Sequence, residues 1–235
     1  MELKFWGCGS AFNPAMGNTS AYFEKSGNLY LLDCGESVYE SLMRCMDLSR
    51  YNRIYVLVTH LHADHVGSLG SLLSYNSCVL GKRTWIIHPS RTIVDLLRLL
   101  GIRDDFYEYC EKMPEAADGL RVEAIPVSHV ENMDCFGYLL EDGENRIYYS
   151  GDAAIVPERV LDLLRQGKLD RLYQDTSIHS HQPPSHCYYG DLEQAVERKL
   201  RGRVYCMHLD EDCRDMLREK GFNIPDVCST MTSGE

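Results

Sequence analysis

The 235-residue sequence has no long apolar run, and its hydrophobic stretches reach only a few residues, as in Tyr30-Leu31-Leu32. A helix that crosses a bilayer needs about 20 consecutive apolar residues, so we predict no membrane span and no membrane partner. The first residues also lack the apolar stretch of a secretory signal. Together these absences predict a cytoplasmic protein.

The sequence has no C-x-x-C pair, although it contains ten cysteines that lie singly between Cys8 and Cys228. In a chain without a secretory signal, this spacing predicts free thiols in a reducing compartment rather than a disulfide scaffold.

Positive charge is also scarce, because 24 lysines and arginines face 35 aspartates and glutamates, for a formal net charge of −11. Such an acidic surface does not attract nucleic acid or anionic lipid without a local basic patch. The remaining composition, 44% apolar and 25% charged, is that of an ordinary globular protein. The length and the absence of a low-complexity linker predict one domain over residues 1–235.

Strand-like runs rich in β-branched and aromatic residues recur along the chain, with helical periodicity between them. This mixture predicts an α/β protein whose sheets are covered by helices. We predict strands at residues 3–6, 21–24, 29–33, 53–58, 84–88, 120–127, 136–140, 146–150, 171–174 and 204–207. We predict helices around residues 38–45, 93–100 after a capping Ser90, 157–164, 192–200 and 216–217.

A dense group of metal-ligating side chains follows the fourth predicted strand. The segment His60-Leu61-His62-Ala63-Asp64-His65 places four of them within six positions, where the composition predicts roughly 0.002 chance matches. His60 and His62 alternate along an extended segment, so both can reach one cation from the same side. Asp64 and His65 follow the turn and can serve a second cation. Zinc accepts imidazole and carboxylate ligands, and manganese or iron can also use them.

Two cations need further ligands, and three later strand ends supply candidates. His129, Asp152 and His208 each stand within two residues of the end of an apolar predicted strand. Open α/β sheets gather their binding sites at such ends. Three candidates in succession behind the first motif therefore predict a metal site.

The order H-x-H-x-D-H, then His, Asp and His, resembles that of the metallo-β-lactamase superfamily, in its branch of binuclear hydrolases, over nearly the whole chain. The resemblance implies a four-layer αββα sandwich, with two mixed sheets flanked by helices and the site at one rim of the sheets. It also implies two Zn²⁺ ions, with Mn²⁺ or Fe as alternatives. The implied ligands are His60, His62 and His129 for one ion and Asp64, His65 and His208 for the other, with Asp152 bridging.

Two further positions refine the resemblance. Asp33, in Leu32-Asp33-Cys34-Gly35, matches an early Asp motif of the family that is mainly structural. True β-lactamases of this fold usually lack the histidine that is His65 here, so antibiotic hydrolysis is not favoured.

A histidine in Pro184-Ser185-His186-Cys187 precedes His208 by 22 residues. It resembles the extra histidine of the ribonuclease Z-like phosphodiesterases, which include the carbon–phosphorus lyase-associated phosphodiesterase. The alternative is that His186 only caps the following helix or binds the backbone. Asp175 is a candidate to orient His186 or a ligand histidine.

The chemistry implied is attack on phosphorus by a hydroxide that two cations share, since metal coordination lowers its pKa towards neutrality. A leaving alkoxide is strongly basic and needs a proton, so we predict His186 as the general acid. We count Asp64 with His186 as catalytic. The expected function is a metal-dependent phosphodiesterase that acts on a small phosphodiester such as a cyclic nucleotide.

The sequence departs from ribonuclease Z itself in the features that grip RNA. It has no long basic arm, and the segment between His129 and Asp152 is acidic, so long nucleic acid is not the expected substrate. A thioesterase or lactonase on the same fold, a tRNA 3′-processing endoribonuclease and a non-enzymatic sensor remain as alternatives. The relatives imply a homodimer.

Several polar residues are interpreted without a catalytic role. His88 is predicted to be structural, and His179 and His181 to lie in a solvated loop. A basic cluster near a helix end is predicted to form a solvated face: Arg198, Lys199, Arg201 and Arg203.

Overall fold

Two mixed β-sheets form the centre of the protein. The structure is a computed structural model that describes residues 1–114, 119–143, 145–180 and 182–228. The first sheet has six strands in the order β1 to β6, antiparallel from β1 to β3 and parallel from β3 to β6. These strands are β1 (Lys4–Gly7), β2 (Ser20–Lys25), β3 (Asn28–Leu32), β4 (Ile54–Leu57), β5 (Thr84–Ile87) and β6 (Tyr107–Cys110).

The second sheet has five strands in the order β11-β10-β9-β8-β7. Strands β9, β10 and β11 are parallel, and β8 is antiparallel to both β7 and β9, so β7 also runs in the direction of β9. The strands are β7 (Arg121–Pro126), β8 (Phe136–Glu141), β9 (Arg146–Tyr149), β10 (Arg171–Asp175) and β11 (Val204–Met207).

The sheets pack face to face because their strands are apolar on both sides. In β3, Leu29 and Leu31 belong to a core under the helices, whereas Tyr30 and Leu32 belong to the core between the sheets. Successive side chains of a strand point to opposite faces, so a run that is buried throughout requires a covered sheet. In the second sheet, Tyr148 likewise faces helices while its neighbours on β9 face the first sheet.

Helices cover the outer face of each sheet, which completes the predicted αββα sandwich. Apolar side chains of α1, α3 and α4 share one core with the first sheet, and those of α5, α6 and α7 share another with the second sheet. The helices are α1 (Val38–Cys45), α2 (Ala63–Val66), α3 (Leu69–Cys78), α4 (Thr92–Leu99), α5 (Glu158–Arg165), α6 (Tyr189–Ala195) and α7 (Arg214–Glu219). No helix among the described residues is long and apolar enough to cross a membrane.

The structure corrects the predicted helix over 192–200. Helix α6 ends at Ala195, and Val196 is extended, with φ −113° and ψ 116°, before a 3-10 helix, Arg198–Arg203. The Arg201 guanidinium donates to the Val196 carbonyl at 3.1 Å and to the Glu193 carbonyl at 2.7 Å, so it ends the helix by satisfying its last carbonyls. Arg201 is therefore buried, and the prediction that it lies on a solvated face was wrong.

Three smaller differences concern local signals. Ser90 does not cap α4, because Arg91 occupies the position before Thr92. Helix α3 and strand β6 were not predicted. The first contains glycine, serine and asparagine, which are weak helix formers, and it is stabilised by burial of its leucines. The second is a four-residue strand that, among the described residues, lies at the edge of its sheet and pairs with β5.

The loop after β3 packs directly against the segment after β4. A Cβ atom added at Gly35 would lie 1.9 Å from the Asp64 carbonyl oxygen, and the Cys34 N–H donates to the His65 carbonyl at 2.7 Å. Only glycine fits this approach.

We therefore expect Gly35→Ala to lower the free energy of unfolding by about 1–3 kcal/mol or more, because the added methyl group must displace backbone. Thermal and denaturant unfolding would measure the change. Gly202→Ala is the matched control, since no atom lies within 4 Å of a Cβ there. Equal stability of the two variants would contradict the packing.

Candidate metal centre

The predicted ligands come from strands whose carboxyl ends meet at one rim of the sandwich. His60 and His62 follow β4, and Asp64 and His65 lie in the short helix α2 just beyond. In the second sheet, β7, β9 and β11 run in the same direction, and the ligands after them are His129, Asp152 and His208. The structure thus brings all seven predicted ligands together.

The first group consists of three histidines and one carboxylate oxygen. His62 Nδ1 lies 3.0 Å from His60 Nε2 and 3.2 Å from His129 Nε2. Asp152 Oδ2 lies 3.7 Å from His60 Nε2 and 3.5 Å from His129 Nε2. All four ligand atoms lie within 4.8 Å of one another.

The second group uses the other oxygen of the same aspartate. Asp152 Oδ1 lies 3.2 Å from His65 Nε2 and 3.4 Å from His208 Nε2. Asp64 Oδ2 lies 3.2 Å from each of these two nitrogens. Asp152 therefore stands between two ligand groups and presents one oxygen to each.

Hydrogen bonds on the far side of the rings direct lone pairs into the first group. His129 Nδ1–H donates to the Ser185 carbonyl at 2.7 Å, which leaves its Nε2 unprotonated when the ring is neutral. The Thr59 hydroxyl donates to Asp33 Oδ2 and so accepts from His60 Nδ1–H at 3.1 Å. Burial and the neighbouring histidines hold the pKa of His60 well below its usual value. Converging lone pairs on neutral rings fit a cation.

The second group instead requires a positive charge among its atoms. The His65 Nε2 and Asp152 Oδ1 atoms are buried and have no hydrogen-bond partner among the described residues. Burial alone would lower the pKa of His65 and His208, but Asp152 and the other nearby carboxylates raise both, that of His208 to about 10. A proton or a metal cation can supply this charge, and the donor set fits zinc, manganese or iron.

Asp33, which matches a mainly structural motif of the family, also orients the predicted ligand His65. It is fully buried, and its Oδ2 accepts the His65 Nδ1–H at 2.9 Å. Its Oδ1 accepts the Thr59 N–H at 2.8 Å. The bond from Asp33 to His65 Nδ1 leaves His65 Nε2 to face the centre. Carboxylates orient ligand histidines in the same way in many metal sites. Asp33 follows β3, which is the parallel neighbour of β4, and the register of the two strands places it beside His65.

His186 lies beside both groups and is held by Asp175. Its Nδ1–H donates to Asp175 Oδ2 at 2.8 Å, and the other oxygen of Asp175 lies 3.5 Å from His208 Nδ1. The His186 ring stacks on that of His208, with centroids 5.0 Å apart. Burial opposes protonation, but Asp175 raises the pKa of His186 above its usual value. Because Asp175 Oδ2 also accepts the Ala153 N–H at 3.0 Å, that oxygen is engaged and orients the ring.

The remaining predicted positions lie outside the centre. His88 is buried and donates from Nδ1 to the Val58 carbonyl at 2.8 Å. His179 is half exposed and pairs with Glu211. His181 lies outside the described residues.

A family model described as "Anti-Pycsar protein Apyc1" matches residues 1–224. The chain belongs to the Anti-Pycsar protein Apyc1 family. The member from Bacillus phage 010DV004 is 27% identical over 94% of this chain and 94% of its own length, and that from Bacillus phage vB_BsuM-Goe3 is 29% identical over 94% and 93%. A ribonuclease Z from Halalkalibacterium halodurans is 27% identical over 61% of this chain and half of its own length.

Solved structures establish the fold that the resemblance implied. The short form of human tRNase Z superposes with a TM-score of 0.69 at 20% identity, over 98% of both chains. The metallo-β-lactamase fold protein YhfI from Bacillus subtilis gives 0.73 at 16% identity, over 96% and 95% of the two chains. A diphosphatase of the PhnP family gives 0.71 at 20%, over 96% and 94%. The predicted fold class is confirmed.

Replacing Asp33 should weaken metal binding although Asp33 is not a ligand. In Asp33→Asn the amide N–H₂ group would oppose the His65 Nδ1–H, which favours the ring form with its proton on Nε2. We expect about 10–100-fold lower zinc affinity, measured by competition with a chromophoric chelator. Asp95→Asn on the exposed face of α4 is the control. Unchanged affinity in Asp33→Asn would contradict the assigned bond.

Zinc uptake by chelator-treated protein should release protons. The pKa of His208 is raised to about 10, so this ring is protonated at pH 7 without a cation and must lose its proton to bind one. We expect about one to two protons per chain at pH 7 and an affinity that increases with pH. Calorimetry in buffers of different ionisation enthalpy measures the release. Uptake without proton release would contradict the charge assignment.

Proposed function

We propose that this protein is a metal-dependent phosphodiesterase that uses two divalent cations, with zinc as the expected metal, to hydrolyse a small phosphodiester such as a cyclic nucleotide. The observation that carries the proposal is the position of Asp152, whose two oxygens each face a separate buried ligand group. A second observation is the His186 ring, which Asp175 holds beside both groups.

The residues that would hold the first cation are His60, His62 and His129, and those for the second are Asp64, His65 and His208, with Asp152 shared. Two divalent cations bound there would supply positive charge to the phosphate oxygens and a water activated at neutral pH. Asp64 is thus assigned as a ligand on which the reaction depends, rather than as a group that transfers a proton.

His186 is suited to protonate the leaving oxygen. Its Nδ1–H is committed to Asp175, which fixes the ring and directs Nε2 away from that carboxylate. The side chain keeps 26% of its surface exposed, whereas those of His60, His65 and His208 keep 3% or less. A partly exposed ring beside a buried centre can reach a substrate, and a raised pKa keeps a proton available.

The charge distribution favours a small substrate over a long nucleic acid. The whole chain has a net charge of −11, which repels a polyanion. At the centre, two divalent cations would lie next to a bound phosphodiester, whereas the Asp33 and Asp175 carboxylates lie behind the rings of His65 and His208, so a single phosphodiester would be attracted locally. The family name is consistent with degradation of cyclic nucleotides.

The single domain, the homodimer and the cytoplasmic location stay predictions.

The proposal predicts turnover that depends on metal. Zinc-loaded protein should hydrolyse bis(4-nitrophenyl) phosphate and at least one member of a panel of 3′,5′-cyclic nucleotides, and a chelator should abolish both reactions. Liquid chromatography of the products and elemental analysis of the protein would measure this. Fully metallated protein that cleaves thioesters or lactones but no phosphodiester would refute the proposal in favour of a carbon–oxygen or thioester hydrolase.

His186→Ala should separate substrates by their leaving group. Loss of the proton donor should lower kcat for a cyclic nucleotide, whose leaving group is an alkoxide, by about 10²–10⁴-fold. Cleavage of the activated aryl diester should change little, because nitrophenolate leaves without protonation. His179→Ala is the control, since this histidine is half exposed and pairs with Glu211. Equal losses on both substrates would contradict the assigned role.

A further inference from the structure

His186 lies in the segment between Ser177 and Tyr189, whose two ends are joined by backbone hydrogen bonds. We call this contact between the ends the neck and define it as Ser177, Cys187 and Tyr189. The Ser177 N–H donates to the Cys187 carbonyl at 2.9 Å, and the Tyr189 N–H donates to the Ser177 carbonyl at 2.9 Å. Ser177 and Cys187 are 3% and 2% exposed. His186 directly precedes Cys187, so the neck sets the position of its backbone.

A carboxylate from the next strand end holds this neck. Asp210 Oδ2 accepts the Ser177 hydroxyl at 2.6 Å, and its Oδ1 accepts the Ile178 N–H at 3.2 Å. The hydroxyl oxygen of Ser177 also accepts the His179 N–H at 2.9 Å. Asp210 follows the predicted ligand His208 by two residues, and Ser177 follows Asp175 by two. One side chain therefore joins the loop after β11 to the loop after β10.

The neck bears on one contact of the centre, the bond from the His186 Nδ1–H to Asp175 Oδ2. Asp175 precedes Ser177 by two residues and His186 directly precedes Cys187, so the backbone bonds of the neck bring these two side chains close to each other. Hydrogen bonds to a carboxylate are stronger than those between neutral groups, so the two bonds to Asp210 should stabilise this segment in addition to its backbone bonds.

We propose that Asp210 is a positioning residue that closes the neck and thereby places the His186 ring over the metal centre. The inference rests on the proposed function in assigning His186 to the leaving-group side. Asp210 belongs to none of the candidate ligand groups found among the described residues. Its effect passes through Ser177 to the backbone of His186.

The neighbouring Glu211 offers a matched control. It also contacts the loop, through His179 at 2.9 Å, but both side chains are more than half exposed. Exposed ion pairs contribute little to stability, so removal of Glu211 should leave the neck closed.

The first experiment compares Asp210→Ala and Glu211→Ala in the zinc-loaded protein. Asp210→Ala should lower kcat for a cyclic nucleotide by about tenfold or more, with KM changed less than threefold, and should change cleavage of bis(4-nitrophenyl) phosphate less than threefold. In a His186→Ala background, Asp210→Ala should cause no further loss. Glu211→Ala should match the wild type throughout. Equal losses on both substrates, or a full further loss in the His186→Ala background, would overturn the proposal.

Conservative and independent variants guard against misfolding. Asp210→Asn should restore most of the activity, because its amide oxygen can accept the Ile178 N–H and its N–H₂ group can donate to Ser177 Oγ. Ser177→Ala removes one of the two bonds and should show a smaller loss of the same kind. If both variants fold and bind zinc normally but each loses as much cyclic-nucleotide activity as Asp210→Ala, the proposal fails.

Amide hydrogen exchange gives a readout that does not depend on turnover. Exchange of Ser177 and Tyr189 should be at least about tenfold faster in Asp210→Ala than in Glu211→Ala or the wild type, because their bonds close the neck. If the wild type cleaves no phosphodiester, the proposed function fails and exchange alone decides whether Asp210 closes the neck. Unchanged exchange would overturn the inference in either case.

Discussion

The buried Asp152 carboxylate, which histidine nitrogens face on both sides, is the constraint on which the centre depends. It is 2% exposed, with Oδ2 near His60 and His129 and Oδ1 near His65 and His208. An ionised carboxylate in such surroundings costs several kcal/mol unless positive charge compensates it. Compensating charge must therefore lie within reach of both oxygens, whether as protons on the histidines or as cations between the ligands.

The sandwich supplies this arrangement because parallel strands end at a common rim. Strands β7, β9, β10 and β11 run in one direction within the second sheet, and β3 and β4 run parallel to each other within the first, so loops that are distant in sequence meet at the rim. Two non-glycine residues adopt left-handed backbone there, Asp33 with φ 61° and His208 with φ 57°. Such conformations persist where surrounding contacts impose them. Here they turn His208, and the Asp33 carboxylate that orients His65, towards the rim.

Most of the fold, and the convergence of the candidate ligands at one rim, could be predicted because their signals are local. His129, Asp152 and His208 each follow an apolar run, and that placement marked them as candidates. The bond from Asp33 to His65 could not be predicted, since it depends on the register of β3 against β4. The end of α6 depends on a side chain of the following 3-10 helix, and the Ser185 carbonyl that orients His129 leaves no trace in residue type.

Anomalous diffraction at the zinc edge, from crystals of the zinc-loaded protein, tests the central claim most directly. Two peaks about 3.5–4 Å apart, one on each side of the Asp152 carboxylate, are the predicted result. The first should lie among His60, His62 and His129, and the second among Asp64, His65 and His208. A single peak, or peaks away from Asp152 at saturating zinc, would contradict a centre in which this carboxylate is shared by two cations.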